Sequence, residues 1–234
     1  QRQMCIRDSY YTFKTFSRRP MGEPTSFLTG TVLISAWMAG KTFGLSLDEK
    51  VFRRALKFLK SQRTPAGTYV YSLSHSYYPG RPINRHTGSL ARTPACDYAI
   101  KLWEPEDVSM RQLVDGLDRL WSRRGWLTMA LHKPVPHESF AQNSGYFFYY
   151  GYYYSGMCLD MLAPNQVKRH ASLLAGDILA RQGRDGSWWD YPLYNYHKFY
   201  GTGYALYALS RAWDKLYGHP DHSLTTSASS HSHD

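Results

Sequence analysis

The sequence predicts an all-α protein made of repeated helix pairs in two layers, and three observations carry that expectation. A helix ending in a turn recurs at intervals of about 60 residues, in ALKFLKSQRTPAGTYVY at 55–71, GLDRLWSRRGWLTM at 116–129 and AGDILARQGRDGSWWDYP at 175–192. The helix in each copy is apolar along one stripe and polar or basic opposite, which suits a helix with one face in water. The segments between the copies are apolar or aromatic nearly all round, so they must be buried on every side.

In chain order, Thr29 to Gly40 is the first buried helix. Ser46 with Glu49 has the form of a capping box ahead of an outer helix whose stripe is Val51, Phe52, Ala55, Leu56 and Leu59. That helix ends at Gln62, followed by Gly67 and Tyr69. Pro94 to Trp103 is the second buried helix, with Thr93 as its cap, Pro94 at its first position and Cys96 in its first turn. Met110, Leu113, Val114, Leu117 and Leu120 mark the second outer helix, which ends at a turn holding Ser122, Gly125 and Trp126. Gly145 to Leu162 is the third buried helix. Pro164 then opens an outer helix striped by Val167, Ala171, Leu174 and Ile178, and Gln182, Asp185, Gly186 and Trp188 form its turn. Gly201 to Trp213 is the last buried helix.

The ends read differently. QRQMCIRDS at 1–9 lacks a hydrophobic period and resembles translated sequencing-adapter read-through of the kind found at the ends of metagenomic assemblies. It is expected to be a non-native leader, in which case the true amino terminus and any signal peptide are missing. Residues 10–217 then form the helical domain. Residues 218–234, rich in Ser, Thr and His, read as a disordered tail.

Bulk properties limit the partners. A chain of 234 residues with 43% hydrophobic content is ordinary for one globular domain. The longest apolar stretch, Phe27 to Gly40, is interrupted by Thr29, Thr31 and Ser35 and falls short of the ~20 residues that span a bilayer, so no transmembrane segment is expected. The net charge is +10 with scattered Lys and Arg, which argues for a solvated basic surface and against nucleic acid; acidic glycans or anionic head groups would suit it. The three Cys, at 5, 96 and 158, have no paired spacing for a zinc ribbon or disulfide framework.

The block Gln182-Gly183-Arg184-Asp185-Gly186-Ser187-Trp188 resembles the Gln/Trp repeat of squalene cyclases and protein prenyltransferases. In that repeat Gln ends an outer helix, Gly makes the turn and Trp packs back. The aromatic run Tyr146 to Tyr154 and the segment Tyr200-Gly201-Thr202-Gly203-Tyr204-Ala205-Leu206 are similar to uncharacterised bacterial proteins built from such repeats. The resemblance covers about residues 27–213 and is strongest over 140–213. It implies an α/α toroid. Family toroids close with about six helix pairs, whereas four buried and three outer helices make an arc, so the ring is expected to be incomplete. Either further repeats or a second chain would close it.

The catalytic motifs of these families are missing. There is no Asp-x-Asp-Asp acid motif and no Asp-Asp-x-x-Asp magnesium motif; Glu104, Glu106 and Asp107 sit where a helix dipole favours acids. Cys158 and Asp160 stand in the reverse order to the prenyltransferase zinc ligands, so no metal and no cofactor is expected. A helix dipole at Cys96 would lower its thiol pKa, whereas Asp97 opposes that.

Two groups remain as ligand candidates. Tyr149, Tyr152 and Tyr153 belong to the run Tyr146 to Tyr154, a density of hydroxyls that suits either a wet cavity wall or a Tyr-rich core. Asn143, Asn195, Tyr196, His197 and Tyr200 flank the loops that lead into the last two buried helices, with His137 and Glu138 nearby. The expected function is the binding of a small apolar or sugar-like ligand on an aromatic inner surface. The alternative is an enzyme of the same fold: an isoprenoid cyclase or transferase whose acid motif lies in missing sequence, or a polysaccharide lyase, whose Tyr, His and Asn types match in composition.

Overall fold

The computed structural model describes residues 23–133, 139–191 and 196–218. Among these, eight α-helices form: α1 (Ser26–Phe43), α2 (Glu49–Ser61), α3 (Arg92–Trp103), α4 (Met110–Arg123), α5 (Gly125–Leu131), α6 (Phe147–Cys158), α7 (Pro164–Leu179) and α8 (Tyr196–Tyr217). The described residues contain no strand, only isolated bridges from Thr25 to Ser72 and from Arg63 to Tyr69. No helix among them is long and apolar enough to cross a membrane. The leader at 1–9, the tail beyond Gly218, His137, Glu138 and Asn195 lie outside the described residues.

Several boundaries differ from the sequence expectation, each for a local reason. The cap of α2 is Asp48, whose carboxylate accepts from the N–H groups of Lys50 and Val51; it displaces Ser46 because a carboxylate bonds the free amides more strongly. The capping box falls instead at Ser109 and Gln112, ahead of α4. Helix α3 starts at Arg92, since the Thr93 N–H already bonds the Ser89 carbonyl at 2.9 Å, which moves Pro94 from the first to the third helical position. Around Gly125 no left-handed turn forms. The chain stays helical through Trp126, and Leu127 and Ala130 of α5 are buried.

Helices α1, α3, α6 and α8 pack side by side in that order, while α2 covers α1 and α3, α4 covers α3, and α7 covers α6 and α8. Of the four, α3 and α6 are buried nearly throughout, whereas α1 and α8, at the two ends of the row, each leave one side exposed and so depart from the all-round burial expected of 29–40 and 201–213. All four run in the same direction. The Gly30 position faces the backbone of Ala95 and Cys96, and further along both helices the Trp103 indole N–H donates to the Leu33 carbonyl at 3.0 Å. Likewise Gly201 lies against Tyr149, and Gly156 against Ala208, farther toward the C-terminal end of each helix. Small residues at these crossings let the backbones approach. The row also bends: Tyr150 and Tyr154 of α6 reach past α3 to α1, where their hydroxyls meet Thr31 at 3.2 and 3.1 Å.

Parallel buried helices place their N-terminal ends at one rim. The segments that enter these helices, 62–91, 132–146 and 180–195, are long, whereas those that leave them, 44–48, 104–109 and 159–163, are short. Long connections on one end of a rigid scaffold are where binding groups concentrate.

Candidate functional site

At that rim the side chains form a continuous line of rings. His75 lies edge-on to Tyr71 with centroids 5.4 Å apart, Tyr71 meets Phe147 at 6.5 Å, Phe147 meets Tyr146 at 4.7 Å, and Tyr146 meets His197 at 6.4 Å. From His197 the line turns along α8 and onto α6 through Tyr200 at 5.8 Å, Tyr204 at 4.2 Å from Tyr200, and Tyr153, which stacks on Tyr204 at 4.4 Å. Tyr146, Tyr153, Tyr200 and Tyr204 are half-buried, unlike Phe148, Tyr149, Tyr150, Tyr152 and Tyr154, which are buried. Half-buried Tyr offers both an apolar ring and a polar tip.

Asp190 stands beside this line. It is fully buried; its Oδ2 accepts from the Tyr149 N–H in the first turn of α6 at 3.4 Å, and its Oδ1 faces His197 Nδ1 at 3.6 Å. Two close approaches hold the segment carrying it: a Cβ on Gly145 would stand 2.3 Å from the Asp190 carbonyl, and one on Gly201 would stand 2.7 Å from the Trp188 carbonyl. Burial pushes the Asp190 carboxyl up to about 7 and lowers the His197 imidazole from its ordinary value. At 3.6 Å the two are beyond direct hydrogen-bond reach, so desolvation governs each. Burial thus favours the neutral form of both groups. Sequence reasoning missed Asp190 because it lies just beyond the turn that follows α7 and shows its neighbours only in three dimensions.

The sequence candidates separate into sets. His197, Tyr200 and Tyr153 share the ring line. Tyr149 and Tyr152 lie on another side of α6: the Tyr152 hydroxyl donates to Asp177 on α7, and its ring meets Trp121 of α4 edge-on. Asp177 also pairs with Arg124 and Arg181 at 3.3 Å each, so this is a polar joint between α6 and the outer layer. Asn143 is buried and ties its loop to the Thr87 carbonyl at 2.7 Å. Asn195 is outside the described residues.

The turn residues act in different ways. In the third turn the Gly183 N–H bonds the Ser187 carbonyl, Gly186 has φ of 81°, and the buried Trp188 indole donates to the Ile178 carbonyl at 2.8 Å. The first turn has the same form at Thr64 and Thr68, with Gly67 at φ of 71° and Tyr69 in the place of Trp188. This match sets the two glutamines one residue out of register. Gln182 Nε2 donates to the Gly186 carbonyl across its own turn, whereas buried Gln62 accepts from Ser76. Asp185 accepts from the Ser187 N–H and hydroxyl and pairs with Lys198, which lowers its carboxyl pKa. Gly125 and Trp126 lie in helix α5, with Trp126 against Phe140 at 5.5 Å.

The cysteines and acidic cluster have structural surroundings. Burial pushes the Cys96 and Cys158 thiols up, the reverse of activation by a helix dipole. Glu104 and Asp107 pair with Lys60, and Asp160 with Arg211 and Lys215. The described residues contain no cluster of three His, Cys, Asp or Glu able to hold a metal ion. Comparison with protein-family models, curated proteins and solved structures gave no match to this chain.

Proposed function

We propose that this is a ligand-binding repeat protein of the prenyltransferase and squalene-cyclase-like kind, and that the ring line at its rim seats a sugar-like ligand. The observation that carries the reading is the run of half-buried Tyr rings from Tyr146 to Tyr153 beside Asp190 and His197. Sugars present apolar CH faces and hydroxyls together, and this line offers rings and polar groups together. A purely apolar isoprenoid would cover the polar tips of these half-buried tyrosines without compensation.

The bent row of parallel buried helices supports an arc of an α/α toroid. So does α8, whose Phe199, Leu206, Trp213 and Tyr217 are exposed at successive spacings of seven, seven and four residues, one side of a helix. A buried helix within a ring has a neighbour on each side, and this stripe is the side on which α8 lacks one among the described residues. The test is calorimetric titration of the full chain with maltotriose and with farnesol. Maltotriose binding that weakens at least tenfold in Tyr200→Ala and Tyr153→Ala supports the reading; binding of farnesol alone, or of neither, overturns it.

A further inference from the structure

Three features at the rim exceed what a neutral sugar needs. The first is Arg92, at the start of α3. It is fully buried and donates to the carbonyls of Gly88, Tyr69 and Ile83 at 2.9, 2.9 and 2.6 Å. No carboxylate pairs with it among the described residues, and its Nε–H has no partner there. Its guanidinium lies over Tyr71 at 5.3 Å, and burial lowers its pKa to about 10, still charged at neutral pH. The second is the convergence of the N-terminal ends of α1, α3, α6 and α8, which turns the positive ends of four helix dipoles toward the rim. The third is Asp190, whose buried Oδ1 has no hydrogen-bond partner among the described residues and looks toward His197. A basic rim with one carboxyl inside it would be spoiled by that carboxyl whenever it ionised.

Resting on the reading that the rim takes a sugar, we infer that the ligand is an acidic sugar and that Asp190 and His197 take up one proton when its carboxylate binds. Without the proton the pair carries a negative charge that opposes a uronate; with it the pair is neutral and Arg92 and the helix ends dominate. The groups facing Asp190 do not cancel this. Tyr149 comes from α6, and Tyr200, Tyr204 and His197 from α8; burial raises the pKa of all three tyrosines, so they stay neutral. The nearby cations are engaged elsewhere, Lys198 with Asp185 and Arg181 with Asp177. Affinity for an acidic sugar therefore rises as pH falls through the range in which Asp190 titrates.

Calorimetric titration of the full chain with trigalacturonate and with maltotriose tests this, at about pH 6 and about pH 8, where the ligand's own carboxylates stay ionised. Measurement in two buffers of different ionisation enthalpy gives the proton uptake. The expected result is trigalacturonate binding about tenfold tighter at the lower pH, with uptake approaching one proton at about pH 8 and little at about pH 6, and pH-independent maltotriose binding. Asp190→Asn keeps an acceptor for the Tyr149 N–H and should abolish the pH dependence; His197→Gln, as a second variant, should halve or remove the uptake. Maltotriose binding with no trigalacturonate preference, or trigalacturonate binding without proton uptake, overturns this inference and leaves the sugar reading standing. Binding of neither ligand overturns both.

Discussion

At Gly151 helix α6 packs closely on Ala91, the residue that caps α3, and that contact can be measured. A methyl group at this position would stand 2.8 Å from Cβ and 2.9 Å from Cα of Ala91. Carbon atoms rest at about 3.5–4.0 Å, so α6 or the start of α3 would have to move by about 1 Å. Overpacking of this kind costs about 1–3 kcal/mol, against about 1 kcal/mol gained by replacing a helical Gly with Ala. Gly151→Ala should thus lose about 0–2 kcal/mol. Gly176, exposed on α7 with nothing within 4 Å of its added Cβ, provides the contrast. There only the propensity gain applies, and Gly176→Ala should gain about 0.5–1 kcal/mol. Urea unfolding followed by circular dichroism resolves changes of opposite sign. Equal stabilisation by both substitutions would refute the close approach of α6 to α3.

Two further outcomes follow from the rim and its turn. Trp188→Ala should destabilise by about 3–5 kcal/mol, since it removes a buried indole and leaves the Ile178 carbonyl without its donor; Trp188→Phe should cost about 1–2 kcal/mol in the same urea assay. Asp190 has a folded pKa raised to about 7, above its unfolded value of about 3.9, so its contribution is fully present below the latter and is lost as pH rises through the former. The stability advantage of Asp190→Asn over the parent should then be about 2–3 kcal/mol larger at about pH 8 than at about pH 5, read from thermal unfolding at both.

The layering was legible because it depends on periodicity. One-sided stripes such as Leu113, Leu117 and Leu120 and all-round apolar runs such as Phe147 to Cys158 have different burial requirements, and the chain has few ways to meet both. Helix ends were less legible. Asp48 and Ser46 both fit a cap, and only the path of the chain selects between them. Around Gly125 the sequence has the Gly and Trp of a turn, yet Leu127 and Ala130 find a buried face by remaining helical. Of the site, His197, Tyr200 and Tyr153 were visible as loop and aromatic-run residues. Tyr149 and Tyr152 belong to the same run, but a helix turns successive residues to different sides, and these two face α8 and the outer layer. Asp190 and Arg92 could not be singled out, because a carboxyl without a partner is defined by what surrounds it.

Chemical-shift mapping of the isotope-labelled chain titrated with a trisaccharide tests the sugar site most directly. The account predicts that the largest changes fall on Tyr146, His197, Tyr200, Tyr204 and Tyr153, with α2 and α4 silent. Changes centred on the outer helices, or spread evenly with no focus on the rim, would contradict it.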